Sequence, residues 1–412
     1  MKFTKSLLIT AFAFSSVVNA QEEKPSFSLT GEFRPRTELG GSGGPFTASP
    51  ATPGGSTAPV GSESFIKTSV RAALNATYKN DSYTLYLGIQ EVFFYGDRTQ
   101  ISATGNGNLR FQEAWANINL FEGGSLKVGR QPLSYDDQRI LGGLGWAQQA
   151  RTHDAAVFKY SNDGYNLDLG GSLNTYAGTI YPSATLFSYR DMGFLRINKT
   201  YGSLNVSLLG LVTTHQAGTE NKSTIKTAGA HLDYKTGAFT ASANAYLQNG
   251  NRNVGGADVT IDGAYLASLD LGYKLDKVAF GLGYETISGK TDDSAAFFPL
   301  YGTNHKFNGL MDRFYVGNHG NAGGLNDLNA SVSSKIAGAA VSLKYHNFSE
   351  VEDLDGTGSE LGSELDLVVA KGFKGFKLVG GYSQFFEPDS VVGAKDTQNW
   401  AWLMLIIKPK FL

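Results

Sequence analysis

The chain is written in short segments whose apolar and polar residues alternate one by one. Phe27, Leu29 and Phe33 alternate with Ser28, Thr30, Glu32, Arg34 and Arg36. Val70, Ala72, Leu74, Ala76 and Tyr78 alternate with Ser69, Arg71, Ala73, Asn75 and Thr77. Val278, Phe280, Leu282 and Tyr284, and later Val341, Leu343 and Tyr345, keep the same rhythm. Successive side chains of a strand point to opposite faces, so a period of two gives each strand one apolar and one polar face. Beyond the N-terminal segment, no apolar run approaches the about 20 residues that a membrane helix needs. The densest cluster, Leu403 to Ile407, is strand-sized. The expected class is all-β, and in a membrane such a chain can only close into a barrel, because an open sheet edge would leave backbone groups unpaired in lipid.

Compartment decides which face looks outward. Lys2 and Lys5 precede an apolar stretch from Leu7 to Val18, and Val17-Val18-Asn19-Ala20 offers a cleavage site after Ala20. This reads as a secretory signal peptide over residues 1–20, leaving Gln21 to Leu412 as one barrel. There are no cysteines, so neither a disulfide nor a lipidated N-terminal Cys is available. Charged residues make up 17% against a usual ~25%. Mean hydropathy is −0.19, the near-neutral average of an apolar exterior and a polar lumen. The formal charge of −2 becomes −4 without Lys2 and Lys5, which excludes a basic nucleic-acid binder.

Short and long connections alternate. Tight turns are expected at Asn80-Asp81, Glu122-Gly123-Gly124, Asn162-Asp163-Gly164, Tyr201-Gly202, Thr236-Gly237, Asp276, Ala337-Gly338 and Gly372 to Gly375. Long polar loops are expected at 38–63, 96–108, 134–151, 176–187, 216–223, 250–259, 289–325, 350–359 and 387–398. These connections predict a transmembrane antiparallel β-barrel of 18 strands, with 16 as the alternative, short turns in the periplasm and long loops outside. Tyr78, Tyr83, Tyr165, Tyr234, Tyr273, Tyr284, Tyr345 and Tyr382 fall at apolar strand ends, as interfacial girdles require. The last segment, Trp400 to Phe411, is apolar and ends on an aromatic, resembling an outer-membrane assembly signal.

No catalytic pattern emerges. His153-Asp154 has no Gly-x-Ser-x-Gly elbow to serve, and the histidines lack His-Glu-x-x-His spacing. Asp292-Asp293 and Glu352-Asp353 read as solvated loop charge rather than a Ca²⁺ site. No enzyme, cofactor or metal is expected. Charge on a lipid-facing position costs about 2–4 kcal/mol at the midplane, so the polar faces belong to the lumen. Parity assigns Glu32, Arg34, Arg36, Lys67, Arg71, Glu113, Asp168, Arg190, Arg196, His231, Asp233, Asp270, Lys344, Glu364 and Asp366 to it. Such a lumen holds a transverse field and selects charged solutes. Arg130, in phase with Leu126 and Val128, and Glu91, in phase with Leu87 and Ile89, break this parity. Either a bulge re-aims them or they lie beyond the apolar band.

Four stretches resemble the alginate export family of 18-stranded outer-membrane barrels. They are Gly129 to Ile140 with Trp146, Arg151, Thr152 and Asp154; Leu300 to Gly309 with Met311 to Tyr315; Leu361 to Leu367; and Gly381 to Ser383 with Phe385 and Phe386. The resemblance implies passive passage of an anionic, alginate-like sugar or polysaccharide through an Arg-rich constriction. It implies Arg130, Arg139, Arg151, Asp154 and Arg313 as lining, together with Arg34, Arg36, Arg71, Glu113, Arg190, Arg196, Glu364 and Asp366 from parity. It also implies a monomer in the outer membrane of a Gram-negative bacterium. Its partners would be membrane lipid, lipopolysaccharide, an anionic oligosaccharide or polysaccharide and periplasmic polysaccharide-handling proteins. One departure stands out: the mature chain has 33 basic against 37 acidic residues, so it is not electropositive as a whole. A general or small-solute porin and an outer-membrane hydrolase are the alternatives.

Overall fold

Alternation closes the chain on itself: a computed structural model shows one antiparallel barrel of 18 strands. The structure describes residues 24–40, 65–97, 109–176, 179–180, 188–217, 221–254, 257–314, 323–353, 359–388 and 398–412. The expected signal peptide lies outside them, as do most of the expected loops at 38–63, 96–108 and 387–398.

The first strands are β1 (Ser26–Gly40), β2 (Phe65–Lys79), β3 (Tyr83–Phe94), β4 (Arg110–Phe121), β5 (Gly124–Gln131), β6 (His153–Asn162) and β7 (Tyr165–Leu173). A separate two-stranded ribbon follows, β8 (Thr175–Tyr176) with β9 (Thr179–Ile180). The barrel resumes with β10 (Asp191–Tyr201), β11 (Leu204–Ala217), β12 (Asn221–Thr236), β13 (Phe239–Val254), β14 (Ala257–Leu275) and β15 (Val278–Ser288). It ends with β16 (Gly324–Ile336), β17 (Ala339–Ser349), β18 (Glu360–Phe373), β19 (Phe376–Phe386) and β20 (Gln398–Ile406).

Each barrel strand pairs with the next, and β1 pairs with β20 to close the ring, Arg36 opposite Met404 and Gly40 opposite Trp400. The chain stays against β1 past Pro409, with Phe33 bridged to Ile407 and Thr30 to Lys410. The expected tight turns all join neighbouring strands. Two expected loops are largely strand: β11 runs to Ala217 and β12 starts at Asn221, while β13 and β14 are separated only by residues 255–256. The polar residues there (Asn251, Arg252, Asn253) continue the ladder, because a hydrogen-bonded hairpin can extend into solvent above the bilayer.

Outward faces carry exposed apolar side chains such as Leu85, Leu87, Leu195, Leu269, Phe280 and Leu343, and the expected girdle tyrosines Tyr83, Tyr165, Tyr234, Tyr273, Tyr284, Tyr345 and Tyr382. Inside, the barrel is filled at one level by two loops, residues 132–152 between β5 and β6 and residues 289–314 of the connection between β15 and β16. Leu133, Ile140 and Leu141 of the first loop and Phe297, Leu300 and Tyr301 of the second pack on wall residues Phe194, Leu211, Ile225 and Tyr246. Met311 of the second packs with Phe348, Phe385, Trp400, Trp402 and Met404. Alternation is lost where the loops dock. In Leu208-Leu209-Gly210-Leu211-Val212, Leu208 and Val212 face out while Leu209 and Leu211 are buried beneath a loop.

Candidate functional site

The two loops meet each other and the walls through buried, directional contacts. Leu141 and Tyr301 form a parallel bridge between them. Arg139, 1% exposed, links three elements. Its Nε and Nη2 donate to both carboxylate oxygens of Glu285 on β15, at 2.8 and 2.5 Å. Its Nη1 donates to Asn304 Oδ1 at 3.1 Å and its Nη2 to Asn308 Oδ1 at 3.0 Å. The planar fork of arginine fits this bidentate arrangement, and burial makes the pair depend on both partners.

The β1 wall holds the first loop by its carbonyls. Arg34 donates to Gln148 Oε1 (3.0 Å), Gly145 O (2.8 Å) and Ala147 O (3.0 Å). Arg36 donates to Trp146 O at 2.8 Å and lies 4.2 Å over the Trp146 ring. Trp146 stacks on His305 of the second loop and meets Trp402 edge-on. At the loop's tip, Asp136 accepts from Arg196 at 2.7 Å and Asp137 from Asn244 at 2.7 Å. The second loop docks on β18, where Glu364 and Asp366 accept the backbone N–H groups of Met311 (2.8 Å) and Leu310 (3.2 Å). Gly309 permits that approach: its φ is +85°, and a Cβ there would lie 2.6 Å from Glu364 Oε2.

Several expected lining residues are therefore anchors and not open lining. Arg34, Arg36, Arg139, Glu364 and Asp366 are all buried. Arg196 is taken up by Asp136, with Asp168 3.7 Å away. Arg151 donates to Gly302 O at 3.0 Å, tying the end of the first loop to the second. Arg313 sits 4.6 Å over the Phe385 ring, and burial pulls its guanidinium pKa down against the pull of Glu387 and Glu364. Arg190 lies just ahead of β10, 3.7 Å from Asp191.

Arg130 and Asp154 need correction, because both face outward. They are cross-strand partners joined by two hydrogen bonds of 2.8 and 2.7 Å, roughly half-exposed, and they alternate with buried Gln131 and His153. No bulge interrupts β5 there, so simple parity holds and the pair stands at the end of the apolar face where β5 gives way to the first loop. Glu91 likewise keeps its parity, opposite Ala72 while lumen-facing Arg71 stands opposite Val92.

What remains open to the lumen is a smaller set. The Nε of Arg71 has no hydrogen-bond partner among the described residues. Lys127 lies 3.8 Å over Trp115, whose other neighbour is the stacked ring of Tyr86 at 5.2 Å. Glu113 accepts from Trp115 Nε1 at 2.9 Å. Tyr86 and Trp115 were missed because lumen aromatics look like girdle aromatics until register is known, whereas the alternation of Lys127 with Leu126 and Val128 could have found it. Across the barrel, Asp270, Glu285, Asp327, Glu364 and Asp366 lie on β14, β15, β16 and β18. Cations thus outnumber acids on the β1–β5 wall, where Glu32, Glu38 and Glu113 intervene, and acids outnumber cations on the β14–β18 wall, where Lys344 intervenes.

Near the outer rim, a neutral cluster closes the first loop. The Tyr189 hydroxyl donates to Ser172 Oγ at 3.1 Å and lies 2.8 Å from His153 Nδ1, and burial pushes its phenol up to about 12. Tyr301, wholly buried against both rings, is pushed up as well.

No family model and no curated protein matches the sequence. Solved structures do match by shape. OccAB4 of Acinetobacter baumannii superposes with a TM-score of 0.63 at 12% identity, over 95% of this chain and 99% of that one. The outer membrane protein OprD of Pseudomonas aeruginosa gives 0.60 at 13%, over 95% and 96%. OpdQ of the same organism gives 0.62 at 12%, over 94% and 98%. The chain shares the fold of these barrels. These barrels are OprD/Occ porins and not enzymes, and they overturn the expected kinship with the alginate export family. The first two stretches that suggested it belong to inward-folding loops, a need shared by any wide barrel whose lumen must be narrowed, and the other two lie on β18 and β19.

Proposed function

We propose that this barrel is a passive outer-membrane channel for small hydrophilic solutes, with a preference for anions set by Arg71 and Lys127. The observation that carries the reading is the pair of loops spanning the lumen, fixed to the β1 wall by Arg34 and Arg36 and to the β15–β18 wall by Glu285, Glu364 and Asp366. A barrel of 18 strands would otherwise leave a wide aqueous channel. Loops anchored at both sides suit short solutes and hinder a polymer. The OprD/Occ likeness supports the small-solute reading in the same direction. Opposed walls of unlike charge orient a passing ion or dipole without needing a cofactor.

Swelling of liposomes holding the refolded barrel tests this. Neutral monosaccharides are expected to enter quickly, with rates falling steeply as the sugar lengthens. Entry of long oligouronates at rates close to those of monosaccharides would overturn the reading.

A further inference from the structure

We propose that His231 is a proton-sensitive latch for the first loop, holding the tip at Asp137 against the β12–β13 wall while its ring carries both protons. The inference rests on the channel reading only for its consequence, since a freed tip alters the lumen. The latch itself is a matter of local geometry.

His231 on β12 is 1% exposed. Its Nε2 lies 2.9 Å from Asp233 Oδ2, and its Nδ1 lies 2.9 Å from Asn244 Oδ1 on β13. The orientation of the Asn244 amide is fixed independently, because its Nδ2 donates to Asp137 Oδ2 at 2.7 Å and to Ser268 Oγ at 3.0 Å. Each ring nitrogen therefore faces an oxygen acceptor, and only a ring protonated on both nitrogens satisfies both. The resulting charge lies 3.9 Å from Asp137 Oδ1.

Loss of one proton breaks this arrangement in a defined direction. Asp233 is a carboxylate and holds the Nε2 proton more strongly than the Asn244 amide oxygen holds the other. The Nδ1 proton leaves, and a bare nitrogen then faces Asn244 Oδ1. Asn244 relieves the clash by turning its amide, which aims an oxygen at the Asp137 carboxylate. The Asp137 carboxylate loses its Asn244 donor and the imidazolium beside it.

Other charges frame the latch. Lys306 Nζ donates to the Asp137 carbonyl at 2.9 Å, and Arg196 holds neighbouring Asp136. Asp270 projects from β14 opposite Ser242, and Ser207 faces His231 from β11. The latch therefore opens as pH rises through the imidazole's titration.

Hydrogen exchange of the refolded, full barrel reads this directly. The reporter is the Arg139 amide, which donates to Asp137 Oδ1 at 3.0 Å, with the amides around it. After correction for intrinsic exchange, protection there is expected to fall several-fold between about pH 5 and about pH 8, the span in which histidine changes charge. His231→Gln cannot titrate and is expected to remove that pH dependence. Asp137→Asn, a change on the loop alone, is expected to expose the tip at both ends of the range. Unchanged protection in the unaltered protein, or the same pH dependence in H231Q, overturns the latch. Parallel bilayer recordings separate the two readings. A barrel that shows the exchange behaviour but passes no current defeats the channel reading and leaves the latch standing.

Discussion

Two arginines in the stretch from Gly129 to Ile140 show how burial, and not residue type, assigns a role. Arg139 and Arg130 are both bidentate to a carboxylate, with contacts of 2.5–2.8 Å. Arg139 is 1% exposed and its partner Glu285 6%. Removing one member of such a buried pair strands the other charge and costs about 3–5 kcal/mol. Arg139→Ala is expected to loosen both loops, seen as larger and noisier single-channel currents, and Arg139→Lys falls between because an ammonium cannot make the fork. Arg130–Asp154 is half-exposed and faces away from the lumen, so it contributes only ~0–1 kcal/mol. Arg130→Ala is expected to leave conductance and ion selectivity as they were. A current changed as much by R130A as by R139A would contradict this division.

At the scale of strands and loops, the second loop offers the sharper test, because its docking depends on backbone geometry more than on side-chain charge. Gly309 has a φ of +85°, which disfavours any residue with a Cβ, and that Cβ would press on the Glu364 carboxylate. Gly309→Ala is expected to speed amide exchange at Leu310 and Met311, the donors to Asp366 and Glu364, while the compact gel mobility of the barrel is unchanged. Slow exchange at both amides in the variant would show that the loop does not need this approach. The barrel itself was legible in the sequence for a simple reason. Where one face meets lipid and the other water, as in Val278 to Tyr284, polarity alternates and turns such as Asn162-Asp163-Gly164 mark the ends. Legibility fails where a third element supplies the environment. Trp400, Trp402 and Met404 face the lumen yet are apolar because loops cover them. Arg34 and Arg36 satisfy lumen parity yet are withdrawn from solvent by loop carbonyls. Parity reports which face a side chain occupies. It is silent on what folds over that face.

Across the whole molecule, net charge and channel charge come apart. The chain has more acids than bases, and this seemed to argue against an anion path. The fold distributes them unevenly: Arg34, Arg36, Lys67, Arg71 and Lys127 share the β1–β5 wall, with Asp270, Glu285, Asp327, Glu364 and Asp366 opposite. Several of these are paired in place, Arg34 with Glu32, Arg36 with Glu38 and Glu285 with Arg139. An ion passing through senses chiefly charges that remain unpaired, since a close pair acts as a dipole whose field falls off quickly and is further screened within about 10 Å at 0.1 M salt. Arg71, whose Nε has no hydrogen-bond partner among the described residues, and Lys127, which lies over Trp115 with Glu113 nearby, come nearest to that condition on one wall. Arg71→Ala together with Lys127→Ala is expected to move the reversal potential in a salt gradient toward cation preference, more strongly at low salt. Arg34→Ala is expected instead to raise conductance by releasing the first loop, with a smaller change in selectivity. If the double variant keeps the anion preference of the unaltered barrel, the selective charges lie elsewhere and the unpaired-cation rule fails for this lumen.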